Sequence, residues 1–206
     1  SYIDPRTGLL KPTYDLWEET FITSTYTTAV VYAALQAAAD LAEKRDDADS
    51  VVAWRAAADD MRLAAVKHLY NADVGVFRKG LVVNEADEVV YNETIDLSSF
   101  FGSFMFGLFA VDSDEVGQSA KTIQRVFGLD QAHPGVPRYQ NDNYRRAHAE
   151  TPGNLWFVTS LWMAQYYLET GLPDEAMNVL NWVRDSAWTT GAMTEQLDPL
   201  THEEVS

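Results

Sequence analysis

The chain has 206 residues, of which 47% are apolar, so it can form one large domain with a buried core but not several domains. Its 31 acidic and 15 basic residues give a formal net charge of −16 at pH 7, which disfavours nucleic acids and anionic membranes as partners. It contains no cysteine, which excludes disulfides, thiolate metal sites and a cysteine nucleophile.

The two ends of the chain indicate a piece of a longer protein. Residues 1–5 do not resemble a signal peptide, and no stretch reaches about 18 uninterrupted apolar residues, the length of a membrane-spanning helix. Together with the absence of cysteine, this favours a cytoplasmic protein. Residues 201–206 read as the middle of a sequence rather than as a tail. We therefore expect residues 1–206 to be a single segment of one domain, truncated at both ends.

Six helices are predicted, connected by loops and one short extended region. Residues 1–22 read as a loop that contains two prolines and a glycine. Ser50 is the expected N-cap of the second helix, and residues 71–93 contain short extended pieces around Gly80, possible arms of a small hairpin. Residues 128–153 form a long irregular loop, which in a compact domain is usually functional. The predicted helices span about 23–45, 51–70, 95–110, 113–127, 154–169 and 174–187.

The predicted helices differ in how many of their faces are apolar. The third and fifth are apolar on nearly all sides and should be buried, whereas the fourth and sixth have one polar face and should meet water. Pairs of a buried and a half-buried helix are what a double-layered helical barrel requires. No fixed-period repeat accompanies them, which disfavours a tetratricopeptide-type array. The predicted fold class is all-α, with three helix pairs forming about half of an (α/α)6 barrel.

Two short segments carry residues suited to sugar chemistry. In the first, Trp17 lies beside Glu18 and Glu19. An indole can cover the apolar face of a sugar ring, and a carboxyl group against an aromatic ring has its neutral form favoured, as a general acid requires. The alternative is structural, because glutamates near a helix N-terminus also complement the helix dipole. The second segment, residues 194–196 (TEQ), lies far downstream.

Four motifs occur in order along the chain: residues 14–19 (YDLWEE), residues 137–139 (PRY) with Asp142 and Tyr144, residues 153–157 (GNLWF) and residues 194–196 (TEQ). Together they resemble the glucoamylase family, glycoside hydrolase family 15, over essentially the whole chain. Members of this family fold as an (α/α)6 barrel with the active site at one end. They release glucose from non-reducing chain ends with inversion, and the resemblance implies the same fold and activity here.

The resemblance implies that Glu18 is the general acid and Glu195 the general base of an exo-acting α-glucan hydrolase. Inversion requires one protonated carboxyl at the glycosidic oxygen and one ionised carboxylate that activates water on the opposite face of the ring. The two carboxyls are then expected about 6.5–9.5 Å apart. Adjacent residues of a helix point about 100° apart, so Glu19 should have a different role from Glu18.

The family positions also imply the substrate-binding residues. Glu19 should hydrogen-bond a sugar hydroxyl, and Arg138 should bind the terminal glucose through its guanidinium. The alternative for Arg138 is a surface salt bridge to Asp142. Trp17 and Trp156 are expected to line the pocket and stack on sugar rings. The four histidines show no ligand spacing, so neither a metal nor a cofactor is expected. The remaining tryptophans are expected to be packing residues: Trp54, Trp162, Trp182 and Trp188.

The chain also departs from the family pattern. Leu155 stands where proline is usual, and residues 145–152 look like an insertion next to the substrate loop. The family's early aspartate and arginine and its late Trp-Ser-His segment are absent, so we expect the chain to need the missing part of the barrel or a second copy of itself. Three alternatives stay open: trehalose hydrolysis, α-1,6-glucan hydrolysis, and a non-catalytic helical domain that binds glycans or proteins.

Overall fold

The computed structural model describes residues 2–205, which form six α-helices and eight short β-strands. The helices are Thr25–Glu43 (α1), Ala48–Leu69 (α2), Leu97–Met105 (α3), Asp114–Phe127 (α4), Phe157–Glu169 (α5) and Pro173–Asp185 (α6). The strands are Thr13–Tyr14 (β1), Phe21–Ser24 (β2), Tyr70–Asn71 (β3), Val76–Phe77 (β4), Gly80–Val83 (β5), Val89–Asn92 (β6), Leu155–Trp156 (β7) and Gln196–Leu197 (β8).

The helices are arranged in two layers. Helix α1 packs against α2 and α3, α3 packs against α4 and α5, and α5 packs against α6. The helices α1, α3 and α5 therefore follow one another along an inner layer, and each carries one outer helix. This is the arrangement of part of an (α/α)6 barrel, so the predicted fold class is confirmed.

Side-chain caps explain where four of the helices begin. Each cap accepts a hydrogen bond from a backbone amide in the first turn, which satisfies a donor that has no partner inside the helix. The caps of α1 to α4 are Ser24, Asp47, Asp96 and Ser113. The prediction of Ser50 as a cap is wrong. Asp47 takes that position, and the Ser50 amide lies inside α2 and donates to the Asp47 carboxylate.

The N-terminal region contains strands as well as loop, which differs from the prediction. Strands β1, β2, β5 and β6 form an antiparallel sheet in that order. Because β5 pairs with β6, the hairpin turns at residues 84–88 and not at Gly80. Gly80 instead lies where β5 meets β2, and a Cβ there would lie 2.3 Å from the carbonyl oxygen of Thr23. Glycine is required because two distant segments approach closely.

Helix α3 lies at the centre of the core. Every residue from Leu97 to Phe104 is buried, as predicted for a helix with apolar residues on all sides. Helix α5 fits that prediction less well, since Val158 and Leu168 are exposed. The inner position of α3, with neighbours on both sides, accounts for the difference.

The four tryptophans expected to be packing residues divide into two pairs. Trp162 stacks on Phe101 with ring centroids 4.6 Å apart, and Trp182 lies against Phe157 at 5.4 Å. Trp54 and Trp188 are 38% and 53% exposed, so the prediction is wrong for these two. Trp54 is on the outer helix α2, and Trp188 follows α6, so neither faces the inner layer.

Apolar side chains are also exposed on α2 and α6, the outer helices of the first and last helix pairs. On α2, Val52 and Leu63 are each 70% exposed, and on α6 Met177 and Leu180 are 53% and 40% exposed. Such exposed apolar side chains are compatible with packing against another part of a barrel. What covers them here stays a prediction. Across residues 2–205, no helix combines the length and apolarity needed to span a bilayer.

Candidate active site

The first candidate catalytic segment is a tight turn between β1 and β2. Asp15 closes it: its Oδ1 accepts hydrogen bonds from the amides of Glu19 (2.9 Å) and Thr20 (3.2 Å). The main chain adds two bonds, from the Asp15 amide to the Thr20 carbonyl and from the Glu18 amide to the Asp15 carbonyl. The glutamates are therefore in a hairpin turn and not at a helix N-terminus, and the 100° spacing of helical neighbours does not apply to them.

Glu18 is exposed at this turn in a left-handed backbone conformation, with φ +58°. A residue with a Cβ adopts this conformation only when its surroundings hold it there, and such positions cluster at functional sites. Trp17 supplies one of the restraints. Its indole Nε1 donates to Asp96 Oδ2 at 3.0 Å, and its ring lies 5.8 Å from that of Trp162.

Arg138 is the central cation of the site. It is 5% exposed, and its Nε and Nη2 bond the two oxygens of Asp142 at 2.7 Å each. Its Nη2 also donates to Glu19 Oε1 at 2.8 Å. The predicted pair with Asp142 therefore exists, but it is buried and not on the surface. Burial lowers the pKa of Arg138, but the bonds to Asp142 and Glu19 outweigh this and keep the guanidinium charged.

Aromatic rings surround the same guanidinium. Its central carbon lies 5.1 Å from the ring centroid of Trp17, 4.7 Å from that of Trp156 and 5.0 Å from that of Tyr144. The planar cation is attracted to each ring face. Trp17, Glu19, Arg138 and Trp156, the four predicted substrate-binding residues, are thus in one continuous cluster.

Tyr139 holds the second oxygen of Glu19. Its hydroxyl donates to Glu19 Oε2 in a short hydrogen bond. Burial, followed by this hydrogen bond, raises the pKa of Tyr139, so the phenol stays protonated and acts as a donor. Both carboxylate oxygens of Glu19 are consequently held by protein donors, while a third of its side chain remains exposed.

The second candidate catalytic segment is held mainly by its backbone. Strand β8 pairs with β7 so that Gln196 lies opposite Trp156. One residue earlier, the carbonyl of Glu195 accepts a hydrogen bond from the Phe157 amide at 3.3 Å. Glu195 itself is exposed. The fully buried Gln196 accepts a hydrogen bond from Asn154 Nδ2 at 2.8 Å. The backbone of Glu195 therefore lies one residue from the Trp156–Gln196 pair of the strand ladder.

Three residues of the site were not found by sequence reasoning. Lys79 is buried between Asp15 and Asp96, and Tyr139 binds Glu19. Asp96 had a usable signal, because an aspartate directly before an apolar helix is a common N-cap. Tyr139 lies in the PRY motif, but the sequence alone does not indicate its role. Lys79 had no signal, since lysine side chains are normally exposed.

A metal site among residues 2–205 would need several titratable side chains close together. Among residues 2–205, no group of three or more histidine, cysteine, aspartate or glutamate side chains could hold a metal ion. The side chains present at the cluster are carboxylates, one guanidinium, phenols and indoles, a set suited to proton transfer and to hydrogen bonding with hydroxyl groups.

Comparison with known proteins identifies the family. The profile described as glycosyl hydrolases family 15 matches residues 9–179. An uncharacterized glycosyl hydrolase of Methanocaldococcus jannaschii is 31% identical over 156 residues, which cover 76% of this chain and 23% of that protein. The chain thus spans about a quarter of the length of this relative.

Solved structures share the fold. A bacterial glucoamylase complexed with acarbose has a TM-score of 0.74 at 19% identity, over 92% of this chain and 31% of its own. A glycosidase in complex with glucose has a TM-score of 0.73 at 21% identity, and the match covers 91% of this chain and 45% of that one. The glucoamylase of Saccharomycopsis fibuligera has a TM-score of 0.72 at 18% identity, and the match covers 95% of this chain and 54% of that one. The extent of the profile match and the identity to the relative show that the chain belongs to glycosyl hydrolase family 15.

Proposed function

We propose that this chain carries both catalytic glutamates of an inverting, exo-acting glycoside hydrolase that releases glucose from the non-reducing ends of α-glucans. The supporting observation is the position of Arg138, which bonds Glu19 and lies 5.1 and 4.7 Å from the rings of Trp17 and Trp156. Trp17 directly precedes Glu18, and Trp156 pairs with the residue after Glu195. One buried cation therefore links the two segments that bear the proposed acid and base.

In the proposed mechanism the two glutamates have opposite tasks. Glu18, protonated, delivers a proton to the glycosidic oxygen as the bond to the leaving group breaks. Glu195, ionised, removes a proton from a water molecule that attacks the anomeric carbon from the other face of the ring. The product is then β-glucose from an α-linked substrate. The two carboxyl groups should be separated by about 6.5–9.5 Å when substrate is bound, leaving room for this water.

The surrounding cluster is proposed to bind the terminal sugar. Glu19 accepts hydrogen bonds from Arg138 and Tyr139 and still exposes part of its carboxylate, which a sugar hydroxyl can reach. Trp17 and Trp156 offer apolar ring surface against which the carbon face of a pyranose packs. The solved glucose and acarbose complexes of the structural relatives support a carbohydrate substrate.

We further propose that residues 1–206 are one segment of a longer catalytic domain. The chain aligns with 31–54% of the solved relatives described above. Apolar side chains are exposed on α2 and α6 at the two ends of the helix row. The rest of the barrel, or a second copy of the chain, would cover these faces and complete the substrate pocket. Activity should therefore be measured on the intact gene product.

The test is glucose release from maltooligosaccharides by the intact protein and by Glu18→Gln and Glu195→Gln. Each substitution keeps the side-chain shape but removes proton transfer, so we expect the rate to fall by about 10²–10⁴-fold. Proton NMR of the first product should show β-glucose from the unsubstituted protein. Glu169→Gln, an exposed glutamate on α5, is the matched control and should have normal activity. Full activity of Glu195→Gln would exclude the assigned base.

The same assay separates the alternatives. Rates on maltose, trehalose and isomaltose distinguish α-1,4-glucan hydrolysis from trehalose and α-1,6-glucan hydrolysis. Absence of glucose release from all three, combined with measurable binding of an oligosaccharide, would instead support the non-catalytic glycan-binding domain.

A further inference from the structure

Lys79 is a buried charge next to the turn that carries Glu18. It is 4% exposed, whereas the other four lysines are exposed: Lys11, Lys44, Lys67 and Lys121. Its ammonium lies 2.9 Å from Asp15 Oδ2 and 3.3 Å from Asp96 Oδ2. It also lies 4.1 Å from the ring centroid of Tyr139. One cation thus contacts three elements: the turn, the N-cap of α3 and the long loop.

The backbone of Lys79 is fixed as firmly as its side chain. Its amide donates to the Asn92 carbonyl of β6, and its carbonyl accepts from the Thr25 amide at the start of α1. The next residue is Gly80, where β5 and β2 meet too closely for a side chain. The ammonium therefore projects from a backbone position that is hydrogen-bonded on both sides, directly before β5.

Each group that Lys79 contacts holds a different part of the Glu18 turn. Asp15 accepts the amides of Glu19 and Thr20, and Asp96 accepts the indole N–H of Trp17. Tyr139 donates to the Glu19 carboxylate. The residues immediately before and after Glu18 are thereby anchored to groups that meet at one ammonium.

Burial and the Lys79 ammonium act in opposite directions on the pKa values of the carboxylates in this cluster. Asp15, Asp96 and Tyr139 are the titratable groups that face Lys79 from the three elements packed around it. Burial raises the pKa of Asp96. Burial also raises the pKa of Asp15, but the bond to Lys79 and the backbone amides outweigh it and leave that pKa below its ordinary value. Without the ammonium, two buried carboxylates would face each other with no cation between them.

On the basis of the proposed function, we infer that Lys79 is a positioning residue for the general acid. It holds Asp15 and Asp96 at fixed separation, and through them it sets the conformation of the turn that aims Glu18 at the glycosidic oxygen. Lys79 does not touch the substrate in this scheme. A displacement of the acid by about 1 Å can lower the rate about 10²-fold, so the anchor affects turnover without being a catalytic group.

The experiment compares Lys79→Met in the intact gene product on two substrates. Maltose needs protonation of its leaving group, whereas α-glucosyl fluoride releases fluoride with little help from an acid. We expect kcat on maltose to fall about 10²-fold, with a much smaller change in KM and in turnover of the fluoride. Lys121→Met, which removes an exposed lysine from α4, is the matched control and should leave both rates unchanged.

A purely structural role for Lys79 gives a different result. If Lys79→Met only reduced the folded fraction, both substrates would lose turnover equally and in proportion to the loss of circular dichroism signal. That outcome, or normal kcat on maltose, overturns the inference. If Lys79→Met does not fold, the double variant Lys79→Met with Asp15→Asn replaces it, since it removes one carboxylate and keeps the acceptor for the turn amides. The double variant should lose far more turnover on maltose than on α-glucosyl fluoride. Normal turnover of maltose by this variant overturns the inference.

Glu18→Gln distinguishes this inference from the proposed function. If it retains normal turnover of maltose, the assignment of the acid itself is wrong. If Glu18→Gln is inactive on maltose but Lys79→Met shows no selective loss of kcat on maltose relative to the fluoride, only the positioning role of Lys79 fails.

Discussion

The two segments that carry the proposed acid and base are held in different ways. The Glu18 turn is fixed by buried charged side chains, because Asp15, Lys79 and Arg138 bond it or its neighbours. The Glu195 segment is fixed by the β7–β8 ladder and, next to Glu195, by the neutral side chain of Asn154. A charged contact, the partly exposed pair of Asp198 and His148, lies just after β8. Charged hydrogen bonds in the interior are stronger and more costly to break than neutral ones. Removing a charged partner of the acid segment should therefore cost more stability than removing the neutral Asn154 side chain from the base segment.

The largest effect should come from Arg138→Met. Removing the guanidinium leaves the buried Asp142 carboxylate without its cation and takes a donor from Glu19. Removing one partner of a buried ion pair lowers the free energy of unfolding by about 3–5 kcal/mol, because the other charge is left buried and unpaired. Chemical unfolding of the intact protein measures this cost. Arg125→Met, an exposed arginine on α4, is the control and should change stability by less than about 0.5 kcal/mol. Equal effects of the two substitutions would contradict the central role given to Arg138.

A smaller effect, dependent on pH, is expected for Asp15→Asn. The Asp15 pKa lies below its ordinary value of 3.8, so this carboxylate stabilises the fold above about pH 4 and loses that contribution as the pH falls through the folded-state pKa. At neutral pH the variant should be less stable by about 2 kcal/mol, the usual size for a charged hydrogen bond. The difference should shrink as the pH drops below about 4.

Unfolding midpoints measured between about pH 7 and pH 3 test the Asp15 prediction. Asp112→Asn, at an exposed loop position, should show no comparable pH-dependent difference. A gap between Asp15→Asn and the unsubstituted protein that stays constant over the whole range would mean that the Asp15 charge does not hold the turn.

The smallest effect is expected on the base side, for Asn154→Ala. Asn154 bonds the Arg145 carbonyl, the Ala147 amide and the Gln196 side chain, all of them neutral groups. Net losses of about 1 kcal/mol are typical for such bonds, and the β7–β8 ladder remains in place. The stability difference should be independent of pH between about pH 5 and pH 8. A loss as large as that of Arg138→Met would remove the contrast between the two segments.

Much of the fold could be predicted because helical periodicity is a local property. The apolar residues of α3 occupy every face, and this alone predicted a buried helix. The errors arose where contacts between distant segments override local preference. The sequence predicts a small hairpin around Gly80, whereas in the structure this glycine lets β5 approach β2 closely. Trp54 and Trp188 were assigned to the interior from residue type, although both are exposed.

By itself, the sequence determined the helix pairs, the fold class and the identity of the residues around Arg138, since these follow from periodicity and from motifs that are contiguous along the chain. Only the tertiary structure decided that Glu18 is in a left-handed turn, that Arg138 and Asp142 are buried, and that Lys79 links Asp15 to Asp96. The reason is physical. A buried charge is stable only beside specific partners. Asp142 is close to Arg138 in sequence, but Glu19 and Asp15 come from a distant segment that no local pattern brings next to Arg138 and Lys79.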